Sequence, residues 1–225
     1  KNIVATGSTD STLYPIKDLS GVPNSYIQTT NKGGGSVNLS QFGFNEAVLT
    51  KFDSSKNLIA STYFGGDGDD EATSLTQDKF GNYYIGGNTA TNTNFPFPNQ
   101  PFQGYVDSTH ADGHDESSDG FIVGFKNNFI HFWSTYYGGT RGFNSGRDFI
   151  QEVNVSTVED KIYVCGLTES KPASFPLKDL GGSSYFQDTL SGGVFDGFMA
   201  RLDLSSITSI KENRENSNKK NLQYL

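Results

Sequence analysis

One cysteine, one methionine and one tryptophan stand in a chain of 225 residues, and each scarcity narrows what the protein can be. With Cys165 alone no intrachain disulfide can form, so burial and hydrogen bonding must hold the fold, and cysteine pairing says nothing of the redox compartment. Cys165 sits in the apolar stretch Ile162–Gly166 and reads as a buried, inert thiol. Cations are short too: 17 Lys and Arg face 25 Asp and Glu, for a formal charge of −8, which argues against a nucleic-acid partner. The longest apolar runs span a few residues, such as Phe121–Val123, so no helix is expected to span a membrane. The opening Lys1-Asn2-Ile3-Val4 does not resemble a signal peptide and reads as mid-domain sequence. Three histidines, confined to 110–131, stand beside no nucleophile elbow, and no Ser-His-acid arrangement is supported. Paired carboxylates for glycoside cleavage depend on three-dimensional separation, which sequence does not give.

What is abundant points one way. Glycine (26), phenylalanine (18) and tyrosine (11), with many Ser, Thr and Asn, favour strands and tight turns over helices. The chain also repeats itself with a period of roughly 78 residues. An apolar strand ending in glycine recurs as Ile3–Thr9, Tyr83–Thr89 and Ile162–Thr168, with Gly7, Gly87 and Gly166 spaced 80 and 79 residues apart. An aromatic-proline element follows as Tyr14-Pro15, Phe95-Pro96 and Phe175-Pro176, trailed by Gln28, Gln103 and Gln187. An acidic residue opens a third segment at Glu46, Asp119 and Asp196. Ser-Thr-Tyr-x-Gly-Gly occurs at Ser61–Gly66 and Ser134–Gly139.

These segments are short, rich in β-branched and aromatic residues and bounded by Gly, Asp and Asn, which is the signature of strands. The middle copy supplies four in order, over Ala72–Gln77, Tyr83–Gly86, Phe121–Phe125 and Phe132–Tyr137. Four antiparallel strands per repeat with no helical period make a propeller blade. The expectation is therefore an all-β β-propeller of four-stranded antiparallel blades, with about three present. Blade 1 covers 1–66 and lacks its first strand, blade 2 is complete over 67–139, and blade 3 covers 140–210. Residues 211–225 read as a polar linker or tail. Three blades fall short of a closed ring, so further blades or another chain are expected to close it.

The combination of Asp-Gly-Phe-Ile/Met, Ser-Thr-Tyr-x-Gly-Gly, Gly68-Asp69-Asp70-Glu71-Ala72, Gly81-Asn82-Tyr83-Tyr84-Ile85-Gly86-Gly87 and Phe-Pro resembles the bacterial SBBP (seven-bladed β-propeller) repeat family over Lys1 to about Asp203. The third copy departs from it, with Thr140–Asp148 in place of the compact Gly-Asp-Asp turn. The tail resembles the linker before a type IX secretion sorting domain, although that domain's own motifs are absent. The resemblance implies a secreted or cell-surface protein, with the type IX machinery among its partners. It also gives meaning to Asp10-Ser11-Thr12, Asp107-Ser108-Thr109 and Asp188-Thr189-Leu190, which are similar to an O-glycosylation pattern.

Two acidic or histidine clusters are candidate metal ligands. Asp67, Asp69 and Asp70, in the turn Asp67–Glu71, offer carboxylates to calcium without the spacing of a dedicated calcium loop, and Asp and Gly are the ordinary residues of a tight turn, which is the favoured reading. His110, Asp112 and His114 carry metal-capable side chains, but Gly113 works against a helical His pair, and a solvated insertion accounts for them as well. No cofactor is called for beyond that calcium. The leading functional expectation is a non-catalytic binding, adhesion or structural module for an extracellular protein or glycan. The rival is a propeller hydrolase or lyase acting on polysaccharide, since the fold hosts both. The ligand is expected on the face bearing the long connections between second and third strands.

Overall fold

A computed structural model describes residues 2–19, 21–33, 45–98, 104–111, 117–140, 146–156, 158–177, 189, 194–203 and 222–224. They form no helix, and hence none long and apolar enough to cross a membrane. Among the described residues eleven strands build three antiparallel sheets. The first sheet holds β1 (Ile3–Thr9), β2 (Glu46–Phe52) and β3 (Leu58–Phe64) in that order. The second holds β4 (Asp70–Gln77), β5 (Tyr83–Thr89), β6 (Asp119–Phe125) and β7 (His131–Tyr137). The third runs β8 (Asp148–Ser156), β9 (Lys161–Thr168), β10 (Asp196–Asp203) and β11 (Leu222–Tyr224).

The four strands of the middle repeat appear in the expected order, each one to three residues longer than its apolar stretch. They grow at polar ends such as Asp70 and Asp119, where hydrophobicity gives no signal but the ladder continues. One reading is corrected: β11 lies within 211–225, so part of the stretch taken as linker pairs with β10. Its length hid it, because three residues, Leu222-Gln223-Tyr224, behind a polar stretch are too short a run to read as a strand.

Hairpin turns are set by side-chain caps. Asp53 Oδ1 accepts from the Ser55 and Asn57 amides, and Asp78 Oδ1 does the same for Phe80 and Asn82. Both turns pass through positive φ, at Lys56 and Gly81, a conformation that Asp and Asn side chains support by mimicking backbone turns.

The middle sheet is buried on both faces. Against the first sheet, Leu49, Phe64, Ile85, Phe121, Val123 and Phe125 form one apolar cluster. Against the third, Tyr84, Ile122, Trp133, Ile150, Val153 and Val164 form another. Every residue of β6 is buried, which is why that strand reads as nearly continuous apolar sequence rather than alternation. At roughly 25 cal/mol per Å² of apolar surface, side chains of this size contribute on the order of 2 kcal/mol each. Each sheet alone would expose one of these faces, so neighbouring repeats depend on each other for their core.

Candidate functional site

The long connections between β1 and β2, β5 and β6, and β9 and β10 all leave where β2, β6 and β10 begin. The links between sheets pass the same end, since Phe64 at the close of β3 pairs with Ala47 and the Asp70 amide donates to Asn45 O at 2.9 Å. At the next junction the Asp148 amide donates to Ser118 O at 2.6 Å. The three long connections and the two inter-sheet links therefore gather at one end of the stack.

The floor of this end is a buried pair of carboxylates at each junction. Glu46 and Asp70 meet between the first and second sheets; Asp119 and Asp148 meet between the second and third. All four are buried. A β-carbon placed on Gly65 would sit 2.3 Å from Asp70 Oδ2 and 2.7 Å from Glu46 Oε1, and one on Gly138 would sit 2.6 Å from Asp119 Oδ1 and 2.8 Å from Asp148 Oδ2. The first glycine of each Gly-Gly pair is thus the space that lets two acids approach. The second supplies an amide: Gly66 N donates to Asp70 Oδ2 at 2.9 Å and Gly139 N to Asp148 Oδ2 at 2.8 Å. A hydroxyl completes each cradle, from Thr91 to Asp70 at 2.8 Å and from Ser170 to Asp148 at 2.7 Å.

The partner acids hold the long connections. Glu46 Oε2 accepts from the amides of Lys32 at 3.2 Å and Gly33 at 2.9 Å, and Oε1 accepts from Gln28 Nε2. Asp119 Oδ2 accepts from the Ala111 amide at 2.8 Å. Burial drives the Asp70 carboxyl up to about 7, with the nearby Glu46 charge adding to the rise against hydrogen bonds from Thr89, Gly66 and Thr91. Burial also raises Glu46, opposed by its bonds from Gly33, Gln28 and Lys32. Two acids this close in a dry site do not both ionise readily, so a proton remains on the pair near neutral pH.

The aromatic-proline elements pin the same connections. Phe95 packs on Phe64 and Tyr136, with centroids 5.4 and 4.9 Å apart, and Phe175 packs on Tyr137 and Phe198 at 5.5 and 5.0 Å. Tyr14 lies on Tyr63 at 5.8 Å and hydrogen-bonds Thr50. Gln28 is buried, and its backbone amide reaches Thr62 Oγ1 as that of Asp107 reaches Thr135 Oγ1. Asp107 is thus the structural counterpart of Gln28; Gln103 and Gln187 lie outside the described residues.

The sequence-read metal candidates take separate places. Asp67 Oδ2 accepts from Thr93 and Asn94, Asp69 Oδ1 accepts from the Asn45 amide, and Asp70 faces inward to its cradle. Among the described residues no three His, Cys, Asp or Glu side chains form a metal-holding group. His110 is buried rather than solvated, edge-on to Tyr136 at 5.6 Å, with Nδ1 4.0 Å from Asp119 Oδ2 and Nε2 3.3 Å from Thr89 O. Asp112 and His114 lie outside the described residues. Cys165 is half-buried, not enclosed, on β9.

The chain matches no family model and no curated protein. Its own internal repeat is the comparison that bears on the site. That comparison finds what composition missed: an acid opens β4 and β8 as well as β2, β6 and β10. Unequal spacing after Gly-Gly, with Asp70 four residues past Gly66 and Asp148 nine past Gly139, concealed the correspondence.

Proposed function

We propose that the chain is a run of about three propeller blades of the SBBP type, exported to the bacterial surface or beyond, where it acts as a non-catalytic scaffold for binding an extracellular protein or glycan. The observation that carries this reading is the gathering of three long connections at one end of the stack, their roots fastened by buried carboxylates and aromatic anchors. Fastened roots lower the entropy lost when a loop engages a partner, which is how a rigid framework presents recognition loops. Exposed apolar side chains are set on the same connections: Leu13, 89% exposed, with Val106 and Val194. Such residues suit contact with a partner surface or the apolar face of a sugar ring.

The test is a retention screen of the chain against surface glycans and extracellular proteins, with hydrolysis followed in parallel. Binding that falls at least tenfold in the triple variant Leu13→Asp, Val106→Asp, Val194→Asp, with the thermal transition kept, supports the loop end as the binding face. Turnover of a polysaccharide would overturn the non-catalytic reading, and binding untouched by the triple variant would move the site elsewhere.

A further inference from the structure

The two junctions differ at the end opposite the long connections. Val4 and Tyr84 share a register, each three residues before the glycine of its strand, and each packs toward the next sheet. Tyr84 pairs with Gly124, whereas Val4 pairs with Lys51. At the second junction Tyr84 is closed in by Val153, Val155 and Ile162, all within one buried apolar cluster. The same registers at the first junction hold Leu75, Gln77 and Tyr83. With valine in place of tyrosine the space is not filled, and a cavity of about 370 Å³ opens between Val4, Lys51, Leu75, Gln77 and Tyr83. No residue of β4 belongs to the second cluster, so the contrast lies in the side chains of corresponding strands.

Lys51 makes this space a place for a negative charge. It is 8% exposed, and its ammonium donates to Asn127 O at 2.6 Å. The rings of Tyr83 and Phe129 lie 5.6 and 6.0 Å from Nζ, close enough for their faces to attract the cation. Among the described residues no carboxylate comes within 4.0 Å of it. Burial lowers the ammonium below its ordinary range, with no acid to offset the fall. An ammonium carries three donors, and a buried charge is ordinarily paired. Two protons and the charge are therefore left for an occupant. The rest of the lining is of two kinds: Val4, Leu75 and Tyr83 offer apolar surface, and Asn2, Gln77 and Asn127 offer carboxamides.

We propose that this cavity binds a hexuronate, the carboxylate-bearing sugar residue of an acidic glycan. Its carboxylate would take the two remaining protons of the Lys51 ammonium, the C–H face of its ring would lie on Tyr83, Leu75 and Val4, and its hydroxyls would bond the three carboxamides. The volume falls within the range of about 300–1,000 Å³ usual for small-molecule sites, and an apolar wall with a few convergent polar groups is their usual lining. A neutral sugar would leave the ammonium unpaired, and an aromatic acid would leave the carboxamides unanswered; a site built with polar groups discriminates against ligands that fail to pair them. The cavity lies at the other end of the stack from the long connections, so the inference is independent of the loop-face reading.

The test titrates the full chain with methyl glucuronide, methyl glucoside and benzoate, followed by calorimetry and by amide shifts in NMR. Expected are saturable binding of the glucuronide with Kd on the order of 1 mM, shifts centred on Val4, Lys51 and the Leu75–Tyr83 hairpin, and about tenfold weaker binding of the glucoside, the effect of a lost charged hydrogen bond. Lys51→Met keeps the length without the charge and should weaken the glucuronide about tenfold while leaving the glucoside unchanged. Val4→Tyr supplies the ring that fills the second junction and should abolish binding with the thermal transition kept. No saturation by glucuronide at concentrations on the order of 100 mM, equal binding of the glucoside, or binding untouched by both variants overturns the proposal. Benzoate binding more tightly than the glucuronide would also overturn it, by giving the cavity to an aromatic acid.

Discussion

The two sheet junctions solve one packing problem with different parts. At both, an aspartate opening the inner strand is held by a glycine amide and a hydroxyl, and at both a glycine clears room for a second acid. What differs is that second acid and its holder. The first junction uses Glu46, bonded by Gln28 and two loop amides; the second uses the shorter Asp119, bonded by Ala111 and flanked by His110. The constant half belongs to the framework, and the variable half belongs to the connection that each acid fastens. Loops can therefore change in length and sequence while their root stays tied to a fixed buried group.

The largest effect is expected from filling the shared space. Gly65→Ala and Gly138→Ala each push a methyl group to within 2.8 Å of two buried carboxylates, and overpacking of that kind costs about 2–4 kcal/mol. Urea denaturation should show it for both variants. If either were neutral, the corresponding acids would have room to separate, and the junctions would not be equivalent.

Much of this architecture is legible in the sequence and part of it is not, for a physical reason. Glycine-terminated strands, Ser-Thr-Tyr-x-Gly-Gly and the leading acids recur within single segments, so local pattern suffices to find them. The approach of Glu46 to Asp70, or of Asp119 to Asp148, is made by two strands of different sheets and has no local signature. Asp70 was also hidden in company: next to Asp67 and Asp69 it looked like one more turn carboxylate, whereas its side chain turns inward and theirs bond Thr93, Asn94 and Asn45. His110 misled for the same reason, as a polar residue at the edge of a Gly- and Asp-rich stretch that is in fact packed on Tyr136.

A pH series sharpens the comparison with a somewhat smaller effect. Asp70, raised to about 7 in the fold, keeps a proton that the unfolded chain releases near pH 4. The native state then binds more protons between those values, so this group's contribution to stability falls as pH rises from about 4 to 7 and is level above. His131 acts in the opposite sense. Burial lowers it to about 4, the unfolded chain protonates first, and stability from this group rises across about 4 to 6.5. The two slopes oppose each other in the wild-type chain, with Glu46, also raised by burial, acting in the sense of Asp70. Asp70→Asn should leave stability rising with pH, and His131→Phe should leave it falling, each by on the order of 2 kcal/mol over that window. Equal pH profiles for both variants and the wild type would remove the buried pair from the account.

The smallest effect tests the variable half alone. Gln28 donates to Glu46 and to Thr30 O at 3.1 Å, and accepts from the Tyr26 hydroxyl at 2.8 Å. Gln28→Ala strips those bonds from a buried site and should cost about 1 kcal/mol, while Lys32 and Gly33 still hold Glu46. Gln28→Glu keeps the length but sets a third carboxyl beside Glu46 and Asp70. Its cost should stay below that of alanine at pH 5, where the added group can carry a proton and still donate to Glu46, and grow at pH 8, where three neighbouring acids compete to stay neutral. At the second junction Asp107 stands where Gln28 does, and its Oδ1 accepts from the Thr109 amide at 2.9 Å. A pH-independent cost for Gln28→Glu would mean that this glutamine merely packs, and that the loop is fastened by its backbone amides alone.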